Sequence, residues 1–390
     1  MSRRQIALNA DLLRLQNEGY DLEIRGGLLL VQDVPYVNAR GEVARGTLVV
    51  KLALAGDTTT VPSDHTAHWI GEHPCDRHGQ KLRAIENPSG PQDLGHCVRA
   101  DHMFSAKAAY RDHYHKVTTY LGRIAGEAAM VEAGATAQTF PVIPEDQDDA
   151  VFVYSDTASA RAGIGAMNER LAGQSVGIIG LGGTGSYVLD YVAKTLVGRI
   201  VLFDGDRMLN HNAFRGPGAP TIEELREKPF KADHYAKIYG RMRRGIEVHA
   251  VYLDESNFAR LDSLDFVFVC IDRGGSKRTI VRHLVDMDKA FIEVGMGVIA
   301  TDGRLGGIVR TVCSTSECRA EGERHISYAE DDGGANDYAT NIQVVELNAL
   351  NAALAVHRWK QHCGFYHDTR KAYLRGFSIQ SGAMNNEGLA

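Results

Sequence analysis

Between residues 180 and 272 the sequence carries side chains whose types and order suit chemistry on a nucleotide. Gly180, Gly182 and Gly185 satisfy G-x-G-x-x-G, a spacing that permits a tight turn and lets backbone amides approach phosphates closely. Asp204 follows roughly 20 residues on, the interval at which an acid reaches ribose hydroxyls, and Asp206 stands just beyond it. Then come Asn212, Arg215, Lys231 and Asp272. Hydride transfer to a dinucleotide needs no cations around an α-phosphate. Cleavage between the α- and β-phosphates does, because charge gathers on those oxygens in the transition state. The cations after the glycines therefore favour ATP over NAD, and a lone aspartate near the phosphates is suited to Mg²⁺.

These residues need strands and helices to hold them. Apolar runs at 176–180, 199–203, 246–252, 266–271 and 290–294 read as strands separated by helical patterns. Such alternation predicts a Rossmann-like α/β fold, a mainly parallel sheet with helices on both faces. The glycines then sit where a strand passes into a helix, whose free N–H groups carry roughly half a positive charge. Asp272 falls just past a strand, at the carboxyl edge where ligands bind in such sheets. Residues 158–171 read as a helix, and 297–310 as a glycine-rich β turn-back. The polar stretch 313–340 reads as a mobile loop. From residue 341, Ile342, Val345, Ala349, Ala352, Val356 and Trp359 recur at helical spacing and mark one apolar face.

The chain has 390 residues, 44% hydrophobic and 24% charged, with a net charge of -6. That balance excludes a generic nucleic-acid binder. No apolar run is long enough to span a membrane, and the N-terminus lacks the apolar core of a secretory signal. The six cysteines then read as reduced thiols of a cytoplasmic protein. Residues 1–140, rich in β-type runs with a helical stretch at 106–130, read as an N-terminal α+β domain. The proline- and acid-containing segment 141–153 reads as a linker, and 154–390 as the nucleotide domain.

The run Gly180-Leu181-Gly182-Gly183-Thr184-Gly185-Ser186, with Asp204, Asp206, Asn212, Arg215, Lys231 and Asp272 in order behind it, resembles the adenylation domain of the ThiF/MoeB and ubiquitin-activating enzyme superfamily. The resemblance covers roughly residues 155–365. It departs from the family pattern at Gly216, where a glutamine is usual, and in lacking paired C-x-x-C motifs. Chains of this architecture are similar to ThiF proteins of bacterial ubiquitin-like conjugation clusters. The resemblance implies that ATP and Mg²⁺ bind and that a small ubiquitin-like or sulfur-carrier protein presents its C-terminal carboxylate. Attack on the α-phosphorus would expel pyrophosphate and leave an acyl-adenylate. Arg215 and Lys231 would neutralise phosphates, Asp272 would hold Mg²⁺, and Asp204 would fix the ribose. Arg161, with Arg170 as competitor, would reach the ATP of the other copy in a homodimer. Cys313 or Cys318 would take the acyl group, with Ser314, Thr315 and Ser316 as oxyester alternatives, and a conjugating enzyme would follow. Cys270 and Cys363 read as structural. Other readings are a small-molecule or tRNA-bound carboxylate as substrate, an NAD-dependent oxidoreductase, and a non-catalytic scaffold subunit.

A second cluster lies in the first domain. His65, His68, His73, Cys75, His78, His96, Cys97 and His102 crowd together, and His73, Cys75 and His78 are candidate Zn²⁺ ligands. Their spacing matches no standard zinc signature, and a structural role is the competing reading. The domain itself reads as a recognition module for the carrier or a conjugating enzyme.

Overall fold

The computed structural model describes residues 2–87, 90–145, 150–328 and 342–389, with the side chains of 2–4 excepted. The chain forms two compact units, Met1–Ile143 and Pro144–Ala390.

The first unit is built on an antiparallel sheet. Strands β1 (Leu22–Arg25), β2 (Leu28–Val37), β3 (Val43–Lys51), β4 (Thr66–Ile70) and β5 (His102–Ser105) lie in that order across it. Helix α1 (Ala10–Asn17) and helix α2 (His113–Val131) supply Leu12, Leu15, Val117, Tyr120 and Ile124 to the core beneath. Asp112 caps α2 by accepting from the His115 N–H at 2.7 Å, which starts the helix several residues after the apolar pattern begins.

The second unit confirms the parallel α/β expectation. Helix α3 (Thr157–Ala162) precedes β6 (Ser175–Ile179), α4 (Gly183–Ala193), β7 (Arg199–Phe203), α5 (Lys231–Tyr239), β8 (Ile246–His249) and β9 (Phe266–Val269). Then follow α6 (Gly274–Asp286), β10 (Ala290–Thr301), β11 (Arg304–Ser314), α7 (Arg319–Glu323), α8 (Val345–His362), β12 (Ala372–Ser378) and β13 (Met384–Gly388). The sheet order is β8-β7-β6-β9-β10-β11-β12-β13. The first five strands are mutually parallel and the rest antiparallel. Alternate residues bury on opposite faces, as a strand's period of two requires. Val176, Ile178, Phe266 and Phe268 pack with α4, α5 and α8, whereas Ile179, Val267 and Val269 pack with α6.

Three expectations change. The helix at 158–171 breaks after Ala162, because Gly163 takes φ +67 and ends the turn in the left-handed region. The stretch at 313–340 is not loop throughout: β11 runs to Ser314 and α7 follows, while 329–341 lies outside the described residues. The apolar face of α8 carries two buried asparagines, Asn348 and Asn351. No described helix is long and apolar enough to cross a membrane.

Candidate functional site

The parallel register sets Ile179, Phe203 and Val269 level at the carboxyl edge of the sheet. The turn from β6 into α4 is packed to contact. Gly180 has φ +86, and a Cβ there would lie 2.7 Å from the Cys270 carbonyl. A Cβ at Gly185 would strike the Gly180 carbonyl, and one at Gly183 would strike the Asn348 amide. Gly182 differs: among the described residues nothing lies within 4 Å of its missing side chain. The loop is therefore clamped from below and open above, as a phosphate cradle at a helix N-terminus must be.

Asp204 links this loop to the acid pair. Its carboxylate, 7% exposed, accepts from the Leu181 N–H at 2.6 Å and the Asp206 N–H at 2.7 Å. Burial pushes Asp204 above the usual carboxyl range, against the pull of the nearby Lys231 charge. Lys231, buried at the first turn of α5, donates to Asp206 Oδ2 at 2.8 Å. Burial raises the Asp206 carboxyl, but bonds from Lys231 and Tyr252 outweigh it and hold the group below its ordinary value.

Asn212 is buried, and its Oδ1 accepts from the Leu209 N–H at 2.9 Å. Arg215 is half-buried, and its Nε has no hydrogen-bond partner among the described residues. The His211 imidazole is pushed down by burial and then by the charges of Arg215 and Lys231. Gly216 stands where a side chain would strike the Tyr235 hydroxyl. Asp272 is exposed, between the end of β9 and the start of α6.

Three residues of this edge leave no local mark in the sequence. Asn348 of α8 accepts from Thr184 Oγ1 at 3.0 Å and donates to the Arg215 carbonyl at 3.4 Å, tying the glycine turn to the arginine loop. Tyr252 donates to Asp206 Oδ1, and the Arg273 guanidinium lies 5.5 Å from the Tyr252 ring centroid. The bond to Asp206, with burial, pushes the Tyr252 hydroxyl up to about 12. A polar pair at i, i+3 on an apolar helix face is the one signal that would have marked α8.

Other candidates sit apart from this constellation. Arg161 is exposed in the last turn of α3, and Arg170 donates to the Gly364 carbonyl. Cys313 and Cys318 are 1% and 2% exposed, so neither thiol presents a face to an incoming acyl-protein. Cys313 faces the core from β11; Cys318 Sγ lies 3.5 Å from the Cys313 carbonyl and 3.3 Å from Thr315 Oγ1. The bond from Cys313 lowers Cys318 to about 6 against burial, and raises Cys313. The zinc expectation fails on geometry. Among the described residues no three His, Cys, Asp or Glu side chains gather to hold a metal ion. His73 Nδ1 instead meets the Pro74 carbonyl at 2.8 Å, and buried Cys75 turns its sulfur to the His73 carbonyl at 3.4 Å.

The residues fit the nucleotide and its ion. Open space above Gly182 and the orphaned Arg215 Nε await an anionic ligand. Asp272 is an exposed carboxylate, and among the described residues no group of three His, Cys, Asp or Glu gathers to enclose an ion, which suits Mg²⁺ shared with substrate phosphates.

The ThiF family matches residues 156–356. The chain belongs to the ThiF family. Its second unit is thus a ThiF-family adenylation domain, with the glycine turn, acid pair and cations inside the matched span. Residues 10–157 match a domain of unknown function, DUF6791. No curated protein matches the chain. Similar solved structures include PaaA, at 16% identity and a TM-score of 0.43, covering 60% of this chain and 70% of that one. Escherichia coli MccB with MccA-N7isoASN stands at 16% and 0.44, covering 60% and 68%. The same enzyme with ATP stands at 16% and 0.42, covering 59% and 67%.

Proposed function

We propose that the ThiF-family unit adenylates the C-terminal carboxylate of a small ubiquitin-like or sulfur-carrier protein, using ATP and Mg²⁺. The observation that carries this reading is the glycine turn, open above Gly182 among the described residues, tied through Asp204 to the acid pair that Lys231 bonds. In this reaction a carboxylate oxygen of the carrier attacks the α-phosphorus. The bond from that phosphorus to the bridging oxygen breaks, pyrophosphate leaves, and a mixed acyl–phosphate anhydride remains.

Backbone amides at the start of α4 would hold the phosphates, and Asp204, with Asp206, would fix the ribose. Arg215 stabilises charge on the phosphate oxygens. Lys231 shares it, exchanging its bond to Asp206 for one to the nucleotide. Asp272 would hold Mg²⁺, which would supply positive charge to offset that on the departing pyrophosphate. Arg161 serves the nucleotide of a second copy in a homodimer. The burial of Cys313 and Cys318 favours direct transfer from the adenylate to an external nucleophile, with no thioester on this chain. The first unit recruits the carrier or a conjugating enzyme, and the whole works in the cytoplasm.

Carrier-dependent ATP–pyrophosphate exchange tests the reading. Lys231→Ala and Asp272→Ala are expected to lower exchange by about a thousandfold or more, with far-ultraviolet dichroism unchanged. Wild-type exchange in both variants would overturn the mechanism.

A further inference from the structure

Helix α6 opens on Gly274 and Gly275, directly after Asp272 and Arg273. Glycine is the poorest helix former after proline, so the turn beside Asp272 is intrinsically loose. Packing does not require glycine at position 275, since its missing side chain faces open space among the described residues. Lys277 holds the turn. Its N–H donates to the Arg273 carbonyl at 2.9 Å, and its buried ammonium reaches Glu293 Oε1 at 2.7 Å.

Glu293 is fully buried in β10, in register with Val269 at the end of β9. It takes a second cation from the antiparallel side. Arg310 Nη2 of β11 lies 3.0 Å from Glu293 Oε2 and 3.3 Å from Oε1. To reach it, the guanidinium crosses Gly295, where a Cβ would sit 2.6 Å from Nη2. The carboxylate is thus fixed on the sheet by Arg310 and fixes α6 through Lys277.

We propose that Glu293 is a positioning residue: through Lys277 it immobilises the turn beside Asp272, and so sets where that carboxylate meets Mg²⁺. The inference rests on the Mg²⁺ role given to Asp272 above. Groups that orient a metal-binding carboxylate from behind are typically worth about 10- to 100-fold in metal affinity.

The test uses Mn²⁺ as the probe, its free concentration followed by electron paramagnetic resonance, on the full chain saturated with ATP. Glu293→Gln and Lys277→Met are expected to weaken Mn²⁺ binding about 10- to 100-fold, with ATP affinity in the absence of metal unchanged. Gly275→Ala, which stiffens the same turn, is expected to recover part of that loss in either background. Should Glu293→Gln fail to fold, Lys277→Met, which keeps its buried stem, decides. Unaltered Mn²⁺ affinity, or an equal loss of ATP affinity with and without metal, overturns the proposal. Asp272→Ala separates the two layers. Wild-type Mn²⁺ affinity there removes the Mg²⁺ assignment and this inference with it. A loss there with none at Glu293 or Lys277 removes the positioning alone.

Discussion

Two buried lysines, one in each unit, make the same contact at the same distance. In the first unit Lys116 Nζ lies 2.8 Å from Asp64 Oδ1, with side chains 1% and 34% exposed. In the second, Lys231 Nζ lies 2.8 Å from Asp206 Oδ2, at 8% and 44%. The surroundings differ. Asp64 also accepts from the N–H and hydroxyl of Thr66 at 2.9 and 3.1 Å, and the ammonium stands 5.9 Å from the Tyr110 ring centroid. Beside Lys231 lie a carboxyl that burial raises, an arginine with an orphaned Nε, and a turn open above Gly182. Unpartnered polar atoms stand near both pairs, Tyr110 Oη and His113 Nδ1 in the first unit among them, so what sets the second pair apart is the open turn above Gly182.

The comparison can be broken most directly by removing one partner from each pair. Asp64→Ala strands a lysine with no exposed surface, and should cost about 3–5 kcal/mol. Lys231→Met leaves the half-exposed Asp206 still bonded to Tyr252 and the buried Asp204 still held by two backbone N–H groups, and should cost less, about 1–2 kcal/mol. Urea unfolding midpoints measure both. Equal losses would show that Lys231 is also a structural lysine.

Thiols sharpen the contrast next. Cys97 in the first unit is exposed and should react with iodoacetamide as an open thiol. Cys318 has its thiol lowered to about 6, yet is 2% exposed. Labelling there waits on local opening and should run at least about a hundredfold slower, as peptide mass spectrometry would record. Rapid native labelling of Cys318 would reinstate it as an acyl acceptor.

The smallest effect is in acid. Burial raises Asp64, but bonds from Lys116 and Thr66 hold it below its ordinary value. Its contribution is therefore complete above the unfolded pKa, about 3.9, and is lost as pH falls through the folded one. Lys116→Met should flatten that acid limb in melting temperatures taken around pH 4. Lys231→Met should shift the limb the same way, because the Lys231 charge lowers Asp206 and Asp204 alike and its loss raises both in the folded state.

The order of the candidate residues along the second unit was readable because a parallel sheet returns each strand end to one edge. Gly180, Asp204 and Asp272 each follow a strand, so sequence order translates into proximity. Asn348 was not readable, since it reaches Thr184 across 164 residues and interrupts an apolar stripe that periodicity averages over. Glu293 hid for a similar reason: a lone acid in a strand gives no hint that two cations converge on it. The histidines of the first unit misled through crowding in sequence. His68 is buried in β4, and His73 turns Nδ1 to its neighbour's carbonyl and packs edge-on against His102 at 5.1 Å, so the fold pairs two of the rings without gathering a third ligand among the described residues. Cys313 and Cys318 read as loop thiols because small polar residues lie between them, whereas β11 carries the first into the core.

The glycine turn has a consequence for how such a chain can change over generations. At Gly185 a methyl group would collide with the chain's own backbone, so substitution there is removed whatever the protein is selected for. At Gly182 the same methyl meets open space and the fold tolerates it. Neighbouring lineages that abandoned nucleotide chemistry while keeping this architecture would therefore drift at the second position and hold the first, leaving a record of lost activity in two adjacent glycines of the pattern.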